Sequence, residues 1–273
     1  MSRAFGAAAL TTELQAAAAG KTLVLKLGGS VGREDTLPDD ARLLQGAGAR
    51  VVLVHGGGPL ITSWLDRIGK PTRFVEGLRY TDEETLEVVR MVLSGLVNGE
   101  VVARLTEAGV RAVGLSGSDD SLLVARRRDE RVGLVGDISA VNGHVIRLLL
   151  ERGYFVVVAP VAVDGAGGFL NVNADTAAAE IAVALDADSM IFLTDVDGVS
   201  DGTGNGPLRR LGESDARRLM ASGVIAGGMI PKVEGCMSAR SDTRRAQIID
   251  GRRPHAVIEA LLHPDEVGTT VTD

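Results

Sequence analysis

The chain has 273 residues, 45% hydrophobic and 24% charged, and its 29 Lys and Arg against 36 Asp and Glu leave a formal charge of −7. This is the balance of a folded globule of one large or two modest domains, not of a disordered chain. The acidic excess argues against a broad nucleic-acid or anionic-membrane surface, the 3% aromatic content against base-stacking platforms, and the single Cys236 against an intrachain disulfide or a Cys-rich zinc site.

In the first twenty residues, alanine runs are broken by Thr11, Thr12, Glu13 and Gln15. The apolar core of a signal peptide is missing, so a short amphipathic helix at 12–19, stopped by Gly20, is expected. Strand-like runs follow at TLVLKLGG (22–29), RVVLVHGGG (50–58), VRAVGLSG (110–117), YFVVVAP (154–160) and SMIFLTDVDG (189–198). Each is apolar on both faces and ends in Gly, Ser, Asp or Pro, the pattern of a mostly parallel sheet covered on both sides. The longest apolar stretch, 154–163, contains Pro160 and falls short of the ~18 residues a membrane helix needs; it reads as a buried strand.

Helices are expected between these runs, at 39–47, 60–68 (opened by Pro59), 83–97 (capped by Asp82), 98–108, 142–151, 174–185, 214–221, 233–239 and 254–262. The stretch 126–138 reads as an exposed charged hairpin and 200–210 as a polar loop. Strand–helix alternation over the whole length predicts an α/β fold with right-handed crossovers. A soft boundary near Pro160 divides the chain into 1–160 and 161–273, with one sheet running through both. A lone cysteine fits the reducing cytoplasm.

Ligands in such sheets bind beyond the carboxyl ends of the strands. There the sequence places Lys26-Leu27-Gly28-Gly29-Ser30, His55-Gly56-Gly57-Gly58-Pro59 and Leu115-Ser116-Gly117. Successive glycines let backbone N–H groups converge on an anion; any one such loop alone reads as a tight turn, and two of them after successive strands read as a binding crevice. Lys26 sits in an apolar run, where its ammonium needs an anionic partner or an outlet to the crevice. Asn171, Asn173 and Asp175 precede an alanine-rich helix; they read either as ligand groups or as an Asx-turn and cap, with Asp175 suited to an ammonium or a magnesium ion. Gly227-Gly228-Met229-Ile230-Pro231-Lys232 is a second lysine-bearing glycine segment, and Thr194-Asp195-Val196-Asp197-Gly198 follows a strand. Gly20-Lys21-Thr22 only ends like a P-loop, and neither GxSxG nor HExxH occurs. His55 stands at a strand end as either a packing or a catalytic group, and Cys236 reads as a small buried hydrophobe.

Taken together, KLGGS (26–30), VHGGGP (54–59), FVEGLRYTD (74–82), MVLSGLVN (91–98), AVGLSGSD (112–119), NVNADTAAAEIA (171–182), LTDVDGV (193–199) and GGMIPKV (227–233) resemble the amino-acid kinase family, in its branch acting on N-acetyl-L-glutamate. The resemblance runs from about Lys21 to Thr270. It implies a three-layer αβα sandwich with a mostly parallel central sheet, whose first half binds the acyl amino acid and forms the dimer and whose second half binds ATP with Mg2+ as co-substrate. It implies transfer of the γ-phosphoryl of ATP to the side-chain carboxylate. In that frame Lys26 and Lys232 flank the transferred group and Asp175 holds both ammonium groups. Gly57, Gly58, Arg79, Asn171 and Asn173 serve the acyl substrate. Gly28, Gly29, Thr194, Asp195, Val196, Asp197, Gly198, Val199, Ser200, Val224, Ile225, Ala226 and Met229 serve the nucleotide. No protein-held metal is expected. A carboxylate nucleophile, ordinarily of pKa about 4.3, is ionised at neutral pH and needs no general base.

The chain departs from the family pattern at Ser241-Asp242-Thr243, where Gly-Val is usual. Near the C-terminus, His255 lacks the Glu five residues later and Val267-Gly268-Thr269 lacks a leading Gly, which argues against arginine inhibition. The resemblance implies a cytoplasmic homodimer and leaves a hexamer open. Two alternatives stand beside it: a kinase for carrier-protein-bound α-aminoadipate, which the uninterrupted GLRYTD and NVNAD disfavour, and a non-catalytic small-molecule-binding regulator, which has no need for two lysines around one aspartate.

Overall fold

The computed structural model describes residues 7–28, 36–240 and 245–272. Helix α1 (Ala7–Ala18) leads into β1 (Thr22–Leu27), α2 (Leu37–Gly46), β2 (Arg50–His55) and α3 (Gly58–Arg67). A short hairpin, β3 (Phe74–Val75) and β4 (Leu78–Arg79), precedes α4 (Glu83–Arg90), a π-helical segment (Met91–Val97) and α5 (Asn98–Glu107). Next come β5 (Ala112–Ser116), β6 (Leu123–Arg127), β7 (Gly136–Val141), α6 (His144–Glu151), β8 (Phe155–Ala159), β9 (Val161–Val163) and β10 (Phe169–Asn171). The chain ends with α7 (Ala174–Ala184), β11 (Ser189–Thr194), β12 (Arg210–Gly212), α8 (Glu213–Ala221), α9 (Ile230–Arg240), β13 (Ala246–Asp250), α10 (Ala256–Leu262) and β14 (Thr269–Thr272).

Eight strands form the central sheet in the order β12-β14-β13-β11-β1-β2-β8-β5. Six run parallel; β14 meets β13 antiparallel and carries β12 parallel to itself. Period-two alternation sorts the side chains of the inner strands. Val24, Val52, Val54, Val156, Val158 and Phe192 point to the face covered by α6, α7, α8 and α9. Leu23, Leu25, Val51, Leu53, Val157 and Ile191 point to the face covered by α1, α2, α5 and α10. Both faces are dry, which is why these strands read as unbroken apolar runs. Each fully buried Val, Leu or Phe contributes roughly 1.5–3 kcal/mol of transfer free energy, so the three layers hold by this burial.

The strands of the first half, β1, β2, β8 and β5, are contiguous in the sheet, and so are β11 to β14; the halves meet where β1 pairs with β11. A second sheet, β10-β9-β6-β7, covers one end of the first half. The expected single strand over 154–163 is divided. β8 lies in the central sheet and β9 in the second one, with Pro160 between them. Proline has no N–H for the ladder, so the chain changes sheets there. The charged hairpin expected at 126–138 is the β6–β7 connection. The expected helix 83–97 is α-helical only to Arg90.

Candidate active site

Lys26 is on the α7-facing side of β1, in register with Val54 of β2 and Phe192 of β11. Asp175 is in the first turn of α7, whose N-cap Asn173 accepts from the N–H groups of Asp175 (2.7 Å) and Thr176 (3.2 Å). That cap delivers Asp175 to the end of β1. Lys26 Nζ lies 2.6 Å from Asp175 Oδ1, a close ion contact rather than an aligned hydrogen bond. On the other oxygen, Lys232 Nζ donates to Asp175 Oδ2 at 3.0 Å and also to the Gly228 carbonyl at 3.0 Å. Lys232 stands in the first turn of α9, directly after the Gly227–Met229 turn. Two ammonium groups from residues 206 positions apart thus share one carboxylate. Only 7% of the Asp175 side chain and 8% of Lys26 are exposed, against 18% of Lys232. Burial lowers the proton affinity of Lys26; Asp175 opposes this and Lys232 adds to it.

Beside this triad a cavity of about 470 Å³ opens between the Gly56–Pro59 turn, the β3–β4 hairpin and the Asn171–Ala174 segment. Gly57, Gly58, Arg79, Asn171 and Asn173 all line it. Arg79 is 8% exposed. Its Nη2 donates to Gly58 O and Thr62 Oγ1, each at 2.9 Å, and its Nη1 to Thr72 Oγ1 at 3.3 Å. These hydrogen-bond partners are neutral oxygens, the guanidinium also lies 5.0 Å over the Phe74 ring, and burial disfavours its charged form, with Asp66 partly compensating. Asn171 Nδ2 donates to Thr81 Oγ1 at 3.1 Å, and Thr81 Oγ1 to Arg79 O at 2.9 Å, so the two expected substrate groups are tied through Thr81. Thr62, Thr72 and Thr81 did not stand out in the sequence, because an isolated threonine carries no spacing signal. Asn173 is divided between the two readings: its oxygen caps α7 while the residue lines the cavity.

The expected nucleotide segments lie at the carboxyl end of β11 and before α9. Gly28 N–H donates to Leu193 O at 3.0 Å, which joins the end of β1 to that of β11. Thr194 Oγ1 contacts the carbonyls of Val196 (2.9 Å) and Ile249 (3.1 Å) and accepts from Val196 N–H. Asp195, Val196, Asp197, Ser200, Val224 and Ala226 are exposed, and Gly198 and Met229 half-buried. Val199 and Ile225 are buried, at 1% and 2%, and belong to the core, the Val199 N–H donating to Thr269 Oγ1 and the Ile225 N–H to Leu219 O. The 200–206 loop approaches Val224, since a Cβ at Gly202 would lie 3.3 Å from Val224 Cγ1. Gly29 and the departure at 241–243 lie outside the described residues. Cys236 is fully buried in α9, and burial raises its thiol far above the usual range.

Residues 21–250 match the family model described as the amino acid kinase family. The chain belongs to this family. It is 46% identical to an acetylglutamate kinase of Methanoculleus marisnigri, over 93% of each chain, and 45% identical to an acetylglutamate kinase of Campylobacter curvus, over 92% of this chain and 91% of that one. The solved structure of smu.665 from Streptococcus mutans UA159 superposes with a TM-score of 0.79 at 28% identity, covering 92% of this chain and 98% of that one. The αβα layering and mostly parallel sheet described above are the fold of this amino acid kinase.

Proposed function

We propose that this chain transfers the γ-phosphoryl group of ATP to the side-chain carboxylate of N-acetyl-L-glutamate, forming an acyl phosphate and ADP, a step of arginine biosynthesis. The observation that carries the reading is Asp175 clamped between Lys26 and Lys232 beside a cavity with a buried arginine. The acceptor carboxylate is already ionised, so no base is required. A carboxylate oxygen forms the new P–O bond as the bond from the γ-phosphorus to the bridging oxygen of ADP breaks, and the charge spreads over the phosphoryl oxygens. The two ammonium groups neutralise that charge from either side, and the Gly57–Gly58 backbone adds N–H donors, while the Gly28 and Gly56 N–H groups are held by the Leu193 and Leu27 carbonyls. Arg79 takes the α-carboxylate with its planar fork, and Asn171 is placed beside it.

The nucleotide is assigned to residues 194–200 and 224–229, and with it the ATP side to the part of the chain after about residue 160 and most of the acyl pocket to the part before it. Among the described residues no three His, Cys, Asp or Glu side chains converge on a metal position. Mg2+ enters as part of the ATP co-substrate, held largely by phosphate oxygens. The exposed Met91, lining a groove with Gly114–Ser116 of the edge strand β5, supports a homodimer formed across that edge. One cysteine, fully buried, fits a cytoplasmic enzyme, and among the described residues no helix is long and apolar enough to cross a membrane.

ADP release is to be measured with N-acetyl-L-glutamate, glutamate, aspartate and aminoadipate derivatives. Turnover confined to N-acetyl-L-glutamate is expected. Saturable binding with no turnover of any acceptor would replace the enzyme by a regulator, and preference for an aminoadipate derivative would replace the substrate.

A further inference from the structure

Glycine turns bind anions well because their peptide planes rotate easily, and for the same reason they need something to hold them. At the end of β2 the holding group is His55, 1% exposed. Its Nδ1 lies 2.9 Å from Gly56 O, and only an Nδ1–H can bond to a carbonyl. Its Nε2 is then an acceptor, and Asn98 Nδ2 stands 3.3 Å from it. Asn98, 5% exposed, also has Nδ2 at 3.3 Å from the carbonyls of Leu115 and Val157, so its two amide hydrogens are shared among three acceptors. Two carbonyl acceptors fix which end of the amide faces them, so the amide and imidazole assignments agree. Burial, reinforced by Lys26 and opposed by the Gly56 bond, lowers the His55 pKa to about 4, which keeps the ring neutral in the working range.

The surroundings are shaped to this pair. A Cβ at Gly114 would meet Asn98 Oδ1 at 1.9 Å, and one at Gly57 would meet Leu93 Cδ2 of the π-helical segment at 2.5 Å. That segment ends at Asn98 and sets its position on α5. Neither His55 nor Asn98 lines the acyl cavity.

We propose that Asn98 and His55 are positioning residues for phosphoryl transfer: Asn98 locks His55 in its Nδ1–H tautomer, and that N–H pins the Gly56 carbonyl. The peptide bond is planar and trans, so pinning the Gly56 carbonyl points the Gly57 N–H the opposite way. The relay therefore sets the direction of a backbone donor in the Gly56–Gly58 turn. It rests on the phosphotransferase reading above.

The test combines steady-state kinetics, with ATP and N-acetyl-L-glutamate, and NMR of 15N-histidine-labelled protein. Asn98→Ala removes the lock, and Gly114→Ala displaces Asn98 without removing a polar group. Both are expected to melt cooperatively and to lose about tenfold to a hundredfold in kcat, the scale of a misplaced reactive geometry, with the KM for N-acetyl-L-glutamate little changed. Wild-type His55 is expected as a single Nδ1–H tautomer that stays neutral below pH 6, and Asn98→Ala as a tautomer mixture. An Nε2–H tautomer in the wild type overturns the relay whether or not the variants fold. Variants with wild-type kcat, alongside an active wild type, overturn the relay alone. A wild type that turns over no acceptor overturns the phosphotransferase reading, and the relay with it.

Discussion

Lys26 and Lys232 are not interchangeable counterions. Lys26 is held in the sheet and nearly dry, and burial weakens its hold on a proton; Lys232 is more exposed and anchored at a helix start. Asp175 holds both ammonium groups, and in the proposed reaction incoming phosphoryl oxygens would add a second anion for them to share. Removing one such donor costs about 10²–10³ in rate when its contact strengthens in the transition state. Lys26→Ala and Lys232→Ala are therefore expected to lower kcat by that order while moving the acceptor KM far less. A Lys232→Ala protein with near-normal turnover in the ADP-release assay would contradict the assignment. Arg79 makes the opposite prediction. Three neutral oxygens orient its guanidinium, and a lysine ammonium cannot reach all three from one point. Arg79→Lys should raise the KM for N-acetyl-L-glutamate by tenfold or more, the loss of about 1.4 kcal/mol of binding, and leave the KM for ATP nearly unchanged. Lys26 was legible in the sequence because an ammonium in an apolar run needs an explanation. Thr81 was not, because its role depends on a partner 90 residues away.

At the scale of elements, legibility followed the apolar run rather than burial, for β13 is fully buried but its AQIID gives no such run. β1, β2, β8 and β11 stand inside the main sheet, and β5 at its edge, in valine- and leucine-rich runs. β3, β4, β10 and β12 have two or three residues each, too few for any period to reveal them. The π-helical segment was hidden for another reason. MVLSGLV has the composition of an ordinary amphipathic helix, yet it is π-helical and places Leu93 against Gly57. The start of α7 was legible as a choice between cap and ligand. The geometry gives Asn173 a cap with two N–H partners, and losing such a cap costs about 1 kcal/mol. Asn173→Ala is expected to lower stability by that amount in denaturant unfolding and to reduce kcat through Asp175, which the cap positions. Unaltered unfolding together with a raised acceptor KM would instead make Asn173 purely a substrate ligand.

At the scale of the whole molecule, the order of the central sheet keeps β1, β2, β8 and β5 together and β11 to β14 together, and joins the two sets at the β1–β11 pairing that carries Lys26. The α/β class and the joint sheet followed from alternation. The long-range ties on the opposite face did not, because sequence spacing says nothing about partners 215 residues apart. One of these ties is Asp40 with His255. Asp40 of α2, 1% exposed, lies 2.7 Å from His255 Nδ1 just before α10, and the Val257 N–H also faces it. His255 is further fixed by its N–H to Thr36 Oγ1 at 2.6 Å. Burial raises the Asp40 carboxyl from its ordinary 3.8 to about 6, with neighbouring Asp39 adding to the rise and His255 and Val257 opposing it. Below pH 4 the carboxyl is protonated in both folded and unfolded chains. Between pH 4 and 6 the folded chain binds that proton more tightly, so this contribution to stability falls as pH rises and is lost above 6. Each tenfold change in proton affinity is worth about 1.4 kcal/mol, so the drop across this window amounts to a few kcal/mol. Asp82, whose pKa Lys70 lowers to about 2, acts in the opposite sense and at more acid pH, where its stabilisation disappears. Glu180 is raised by burial and adds to the slope of Asp40, so the comparison must be with a variant rather than with the wild type alone. Asp40→Asn keeps the shape and an acceptor oxygen but cannot ionise. Unfolding free energies measured in urea at pH 4.5, 5.5 and 6.5 are expected to decline less for Asp40→Asn than for the wild type, and the two pH dependences should run parallel above pH 7. Parallel curves across the whole range would show that Asp40 titrates in the folded chain as it does in the unfolded one.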